Sequence, residues 1–327
     1  MRPLYAVLVA LIVLVLAGSV PAAIEESPAS AYHDGPEGVG HLFEKDQRAG
    51  RLVGLEHEGT PVRILHGDLK DLDPDEEALL IVAPRLTYDR EETDRLKTFL
   101  RQGGRALIAD SDDAGRSLVG RLDLGVEIAQ GRVFSTSYVE TADRPLATST
   151  GVLRGMPDEV TLHRPRPVFG AGNPVLTTHP FTWFDANNNG KPDLDEPRDT
   201  WALARLVQAG RGQLLVLASP DLLTEQEKAH PGVPAAQEAL MAWLTQGGRS
   251  IAIDEGHRAR ADPVGMAPLM AGDATAAYPA IIVLTALVTV VVAFRFRLKR
   301  ATRKARRPVP TKRDKVDRAV RSELPRR

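Results

Sequence analysis

Residues Asp185 to Glu196 (DANNNGKPDLDE) alternate hard oxygen donors along a twelve-residue stretch. The spacing fits D-x-[DN]-x-[DN]-G-x5-E, the pattern of a calcium-binding loop. Asp185, Asn187 and Asn189 would offer side-chain oxygens, Lys191 its backbone carbonyl, and Asp193 an oxygen directly or through water. Glu196 would close the sphere with both carboxylate oxygens, and Gly190 permits the sharp turn between the two halves. Calcium takes about six to eight such oxygens. Two features depart from a paired sensor. Pro192 stands where an apolar residue is usual, and Pro197 follows the loop at once. A single loop of this kind predicts a structural Ca2+ site. The alternative is a polar turn held by side-chain-to-backbone bonds.

A second constellation is Asp254-Glu255-Gly256-His257, which follows an apolar run. Asp110, followed by Ser111, Asp112 and Asp113, ends another such run. In parallel α/β folds, sites gather beyond the carboxyl ends of strands. Asp110, Asp254, Glu255 and His257 therefore form a candidate polar cleft. An enzyme reading makes His257 a base or metal ligand beside Asp254 or Glu255. The sequence carries no HExxH, no G-x-S-x-G elbow and no P-loop. It has no cysteine, which removes thiol nucleophiles, thiolate metal sites and disulfides. No catalytic residue is assigned, and a packing role for Glu255 and His257 is the expectation.

The elements that must position these residues read as an α/β fold, a mostly parallel sheet with crossover helices. Residues 61–65, 78–83 and 106–109 read as strands, with a helix before Gly103-Gly104 capped by Thr87. Residues 212–217 and 250–253 read as later strands around a helix over 236–244. The window LKTFLRQGGRALIAD, ending at Asp110, is echoed by LMAWLTQGGRSIAID, ending at Asp254. Strand, helix and strand in sequence argue for parallel pairing. Residues 131–200 read as an insertion over one sheet edge, with strands at 133–139 and 151–153. Residues 39–45 read as the start of a helix.

Charge divides the chain. From Arg295 onward 15 Lys or Arg stand against 3 Asp or Glu, while residues 3–294 hold 26 basic and 40 acidic residues. The acidic body has no charge basis for binding nucleic acid. Residues 1–25, with Arg2 before an apolar stretch, read as a signal peptide or N-terminal anchor. Residues 275–294 are uncharged and long enough for one transmembrane helix, and Arg295, Arg297, Lys299 and Arg300 follow. Basic flanks stay cytoplasmic. The expectation is a cell-membrane protein with an extracytoplasmic α/β domain over 26–272 and a basic cytoplasmic tail over 295–327.

The sequence resembles membrane proteins bearing the domain of unknown function 4350. The resemblance rests on Leu80-Ile81-Val82-Ala83-Pro84, Glu91, Leu96, Phe99, Leu100 and Gly103-Gly104-Arg105 leading to Asp110. It continues through Gly210-Arg211-Gly212, the strand over 214–217, Pro220-Asp221 and the Asp254 to His257 end. The resemblance implies a divergent class I glutamine amidotransferase-like fold, also seen in accessory subunits of gliding-type transporters. The amidotransferase cysteine has no counterpart here. An accessory or scaffolding role in a membrane complex follows by association.

These readings converge on a non-enzymatic, membrane-anchored, envelope-facing interaction module with a structural calcium loop. Its partners would be the bilayer and a protein of a membrane complex. The alternatives are a divergent hydrolase using Asp254, Glu255 and His257, or a ligand-binding accessory subunit of a transporter.

Overall fold

The computed structural model describes residues 29–258, apart from residues 32, 34, 49, 50, 68 and 192. The described residues fall within one contact unit, residues 19–266. The expected signal or anchor segment, the transmembrane segment and the basic tail lie outside the described residues. Among the described residues no helix is long and apolar enough to cross a membrane.

The chain opens with β1 (Glu44–Arg48), β2 (Arg51–His57) and β3 (Thr60–Leu65). Next come β4 (Glu77–Val82), α1 (Arg90–Gln102), β5 (Arg105–Ala109) and α2 (Asp113–Arg121). Short strands follow: β6 (Val126–Ile128), β7 (Arg132–Ser135), β8 (Leu146–Ser149), β9 (Glu159–Thr161) and β10 (Val168–Gly170). Then β11 (Asn173–Thr178), β12 (Thr182–Asp185), β13 (Arg198–Asp199), β14 (Ala202–Ala209) and β15 (Gly212–Leu217) complete the middle. The last described elements are α3 (Val233–Thr245) and β16 (Ser250–Asp254).

Eleven strands make one mixed sheet in the order β1-β2-β3-β16-β4-β5-β15-β14-β11-β8-β9. Only its centre is parallel: β3 with β16, β16 with β4, β4 with β5, and β5 with β15. The expectation of a mostly parallel sheet is thus met only there. The stretch read as an insertion supplies β8, β9 and β11, which extend the large sheet antiparallel beyond β14. It also supplies β7, β12 and β13, a separate three-stranded sheet.

Burial explains the parallel centre. Every residue of β4 (EALLIV) is buried, as expected of a strand covered on both faces. Successive side chains point to opposite faces. Leu79 and Ile81 pack with Leu96, Phe99 and Leu100 of α1 and Leu118 and Val119 of α2. Ala78, Leu80 and Val82 join the other core with Ala236, Leu240 and Leu244 of α3. Crossovers of one hand must place helices on opposite faces when they run in opposite directions along the sheet. The chain moves from β4 through α1 to its neighbour β5, and from β15 through α3 back to β16, beyond β4.

The two echoed windows therefore end in β5 and β16, which flank β4. Asp89, not Thr87, caps α1. Its carboxylate accepts from the Glu92 N–H while Glu92 accepts from the Asp89 N–H, a reciprocal capping box. Residues 39–45 hold a single 3-10 turn, Gly40–Leu42, before β1 rather than the start of an α-helix. Of the strands expected in the insertion, 133–139 forms only in part, as β7, and 151–153 holds no strand, the neighbouring strand being β8.

Candidate functional site at the carboxyl edge of the parallel strands

Two polar assemblies sit where the parallel strands end. The first follows β16. Asp254 is 2% exposed and accepts from the Tyr88 hydroxyl at 2.5 Å. The same Oδ2 lies 2.9 Å from His257 Nδ1. His257 Nε2 lies 3.1 Å from Glu92 Oε1, and Tyr88 stacks on the imidazole with centroids 3.8 Å apart. Both ring nitrogens therefore face carboxylates. Burial alone would lower the His257 pKa, but the Asp254 hydrogen bond and the Asp254 and Glu92 charges outweigh it, and the net shift is upward. Glu255 turns the other way. It accepts from the Ala31 N–H at 2.7 Å and from the Ser30 hydroxyl, and pairs with Arg258 at 3.3 Å. Burial raises its pKa.

Asp110 ends β5 and is 1% exposed. It does not join the histidine. Its carboxylate accepts from the N–H groups of Ser111, Asp112 and Gly115, folding over the start of α2. Gly115 makes this possible, because a Cβ there would sit 2.4 Å from the carboxylate. Burial pushes the Asp110 pKa up to about 6, against the lowering effect of those hydrogen bonds. Of the four residues of the expected polar cleft, Asp254 and His257 bond directly. Glu255 and Asp110 serve separate local networks.

The second assembly is open. A crevice of about 390 Å³ is lined by Ala83 and Arg85 after β4, Ser111 and Asp112 after β5, and Pro220 and Asp221 after β15. Arg132, His163, Arg164 and Glu37 close its sides. Here β5 leads into α2 on one face of the sheet while its neighbour β15 leads toward α3 on the other. Such a divergence is a topological switch point, the place where open α/β sheets bind ligands. Two lining residues hold positive φ without being glycine, Ala83 at 44° and Arg164 at 45°. Backbone strain of this kind gathers at functional sites. His163 pairs with Asp221 at 2.7 Å, and Arg164 with Asp143 at 3.1 Å. Neither Arg85 nor Arg132 makes a side-chain hydrogen bond or ion pair among the described residues. No local pattern in the sequence marks the arginines, because they come from segments far apart in the chain; the Pro220-Asp221 turn is the nearest signal.

Arg132 and Arg164 also line a smaller hollow of about 260 Å³ with Asp185, Asn188, Asn189 and Gly190. The Asx-rich loop thus stands beside the crevice. Within the loop, Asp185 accepts from the N–H groups of Asn189 and Gly190. Asn187 Oδ1 accepts from Asn189, and Asn189 Oδ1 from Lys191. Glu196 accepts from the N–H groups of Ala186 and Asp193. Both side-chain amides donate to Asp193 Oδ2. Asp185 and Glu196 are buried, at 1% and 9% exposure. Among the described residues no group of three or more His, Asp or Glu side chains is gathered tightly enough to hold a metal by themselves. A calcium ion here would draw equally on Asn and carbonyl oxygens. Trp183 and Phe184 anchor the loop's entry strand, stacking on Phe134 and packing on Trp201. Phe181, just before this strand, is 73% exposed.

Residues 54–232 match the model of the domain of unknown function DUF4350. The chain belongs to the DUF4350 family. No curated protein matches the sequence. Among solved structures, the mmIFT52 N-terminal domain is similar at 19% identity, covering 52% of this chain and 77% of that one, with a TM-score of 0.39. An exo-β-1,4-mannosidase, Op5Man5 from Opitutaceae bacterium strain TAV5, is similar at 15% identity over 51% of this chain, with a TM-score of 0.30. A β-galactosidase from Rahnella sp. R3 is similar at 13% identity over 52% of this chain, with a TM-score of 0.32. The matches cover 25% and 23% of these two glycosidases. At these scores the likenesses carry no functional weight.

Proposed function

We propose that this DUF4350 chain is a non-enzymatic, membrane-anchored binding module, which takes a ligand in the crevice at the ends of β4, β5 and β15. The observation that carries the reading is the contrast between the two polar assemblies. The acid–histidine cluster is buried and spends its groups on one another, with His257 only 7% exposed. The crevice is open and is lined by two guanidinium groups, Arg85 and Arg132, that make no side-chain hydrogen bond or ion pair among the described residues. Anchoring rests on the uncharged segment over 275–294 and the basic residues after it. The body would then lie outside the cytoplasm as an accessory to a membrane complex, on a divergent amidotransferase-like fold without the amidotransferase chemistry.

The loop from Asp185 to Glu196 supplies a structural calcium site in this reading. Its hydrogen bonds fold the loop, and they leave further lone pairs on the Asp185 and Glu196 carboxylates and on the Asn187 and Asn189 oxygens. Those are the donors calcium takes. Calcium there would stiffen the wall shared with Arg132 and Arg164.

The test is thermal unfolding of the full chain in detergent against a panel of phosphates, sugars, amino acids and short peptides. Wild type should be stabilised by at least one class, and Ser111→Trp, which fills the crevice, should lose that response. An equal response in wild type and Ser111→Trp, or none in either, overturns the assignment.

A further inference from the structure

We infer that the crevice recognises a phosphate ester whose remaining part carries hydroxyl or amine donors, an inference that rests on the ligand-binding reading above. Arg85 enters from the end of β4 and Arg132 from β7, so two forks from different elements bound one space. One guanidinium fork saturates the two oxygens of a carboxylate, whereas a phosphate offers enough oxygens for two forks. A third guanidinium, the half-buried Arg166, stands outside the lining but near enough to Arg132 to feel its charge. Arg166 donates to the Gln130 carbonyl oxygen, and its Nε is buried without a partner. Its pKa is lowered, first by burial and next by the neighbouring Arg132 charge. Asp112 and Asp113 offset part of this crowding, but neither is in ion-pair contact with Arg166, and clustered like charges favour an incoming anion.

The acidic residues of the lining decide the rest of the ligand. The Asp221 carboxylate is held by His163 at 2.7 Å, and Asp143 is paired with Arg164 at 3.1 Å. The α2 N-terminus is already faced by the Asp110 carboxylate, which accepts from the N–H groups of Asp112 and Gly115 and stands against a further anion there. Glu37 and Asp112 line the crevice without an ion pair among the described residues. They accept hydrogen bonds and repel a second anion. A phosphate ester bearing hydroxyl or ammonium groups satisfies both sides, whereas a bare polyanion satisfies only the arginines. At about 390 Å³ the crevice has room for a phosphate and a small polar substituent, the size of a free sugar phosphate or a lipid headgroup.

The two sources separate in one experiment. The full chain in non-ionic detergent is titrated with glycerol phosphate, and in parallel with phosphatidylglycerol added to the same micelles. Binding is read by calorimetry and by thermal shift. Saturable binding of glycerol phosphate that weakens at least tenfold in both Arg85→Gln and Arg132→Gln supports a free ligand. Saturable binding of phosphatidylglycerol alone, with the same losses, supports a lipid headgroup. Among the described residues Arg85 and Arg132 have no side-chain partner to lose, so both variants should melt with the wild type when no ligand is present. Failure of both probes to bind, or wild-type binding in both variants, overturns the inference. If both probes fail while another ligand class stabilises wild type but not Ser111→Trp, the crevice is still a binding site and only the phosphate assignment falls.

Discussion

At one edge of one sheet, this protein carries a closed polar cluster and an open one. The closed cluster, Tyr88, Glu92, Asp254 and His257, turns each charge on a neighbour within it. The open one leaves Arg85 and Arg132 facing solvent-filled space. Both stand where α/β folds place their sites, so position alone does not distinguish them. Satisfaction does. A buried polar network whose members are all paired holds the backbone in place. The β16 end shows what is held: the His257 carbonyl accepts from the N–H groups of Arg85 and Leu86, and Glu255 grips Ala31. The closed cluster thus positions the chain on which Arg85 enters the crevice.

The largest way to break the contrast is Asp254→Ala. It strips the Tyr88 hydroxyl and His257 of their shared acceptor and leaves Glu92 and an imidazole buried together. Removing one partner of a buried pair costs about 3–5 kcal/mol. Chemical denaturation of the full chain in detergent should show a loss of this size. A loss below about 1 kcal/mol would mean that the cluster is not structural.

Asp110 sharpens the contrast through pH. Its carboxyl is raised from the ordinary 3.8 to about 6, so the folded state holds the proton more tightly than the unfolded one. The sign follows from that order. Stability from this group is greatest below pH 4, is lost as pH rises toward 6, and is flat above. The shift corresponds to about 2–3 kcal/mol across that window. Carboxyl carbon NMR should place the Asp110 midpoint near 6; a midpoint below 4 would show that its three N–H partners dominate over burial.

The calcium loop is the next smaller test. Glu196→Gln should weaken calcium binding at least tenfold in calorimetry and remove calcium's stabilising effect on melting. Unchanged affinity would reduce the Asp185 to Glu196 stretch to a turn held by its own Asx bonds.

How much of this was legible in the sequence depends on the range of the interaction. β4 and β5 declare themselves by continuous apolar runs, and α1 by the spacing of Leu96, Phe99 and Leu100 before Gly103. The antiparallel wing was hidden because β8 and β9 are four and three residues long, too short for a period to register. Asp89 escaped notice as the cap although Glu92 stands three residues on, the spacing of a capping box. Asp254 and His257 sit three apart and meet, as a turn after a strand allows. Their partners Tyr88 and Glu92 come from more than 160 residues away along the chain, and no local pattern encodes that. The crevice is the extreme case. Arg85 follows β4, Arg132 opens β7 of the separate small sheet and Arg164 lies between β9 and β10, and only the tertiary fold brings them together.

The smallest expected effect is also the most discriminating. Glu92 does two jobs: its Oε2 accepts from the Asp89 N–H in the capping box, and its Oε1 faces His257 Nε2. Glu92→Gln keeps an acceptor for the cap and removes the charge that helps raise the histidine. A histidine whose folded pKa is raised contributes stability that is full below its unfolded value of about 6.5 and is lost as pH rises through the folded value. The variant should therefore be less stable than wild type by about 1 kcal/mol at pH 5.5. The difference should be smaller at pH 8.5, because the imidazole gives up its charge as pH rises through the raised folded value. A difference equal at the two pH values would assign the whole effect to the helix cap and none to the histidine. A difference that follows the pH means that the imidazolium binds the start of α1 to the end of β16, and that the backbone carrying Arg85 loosens as His257 loses its proton.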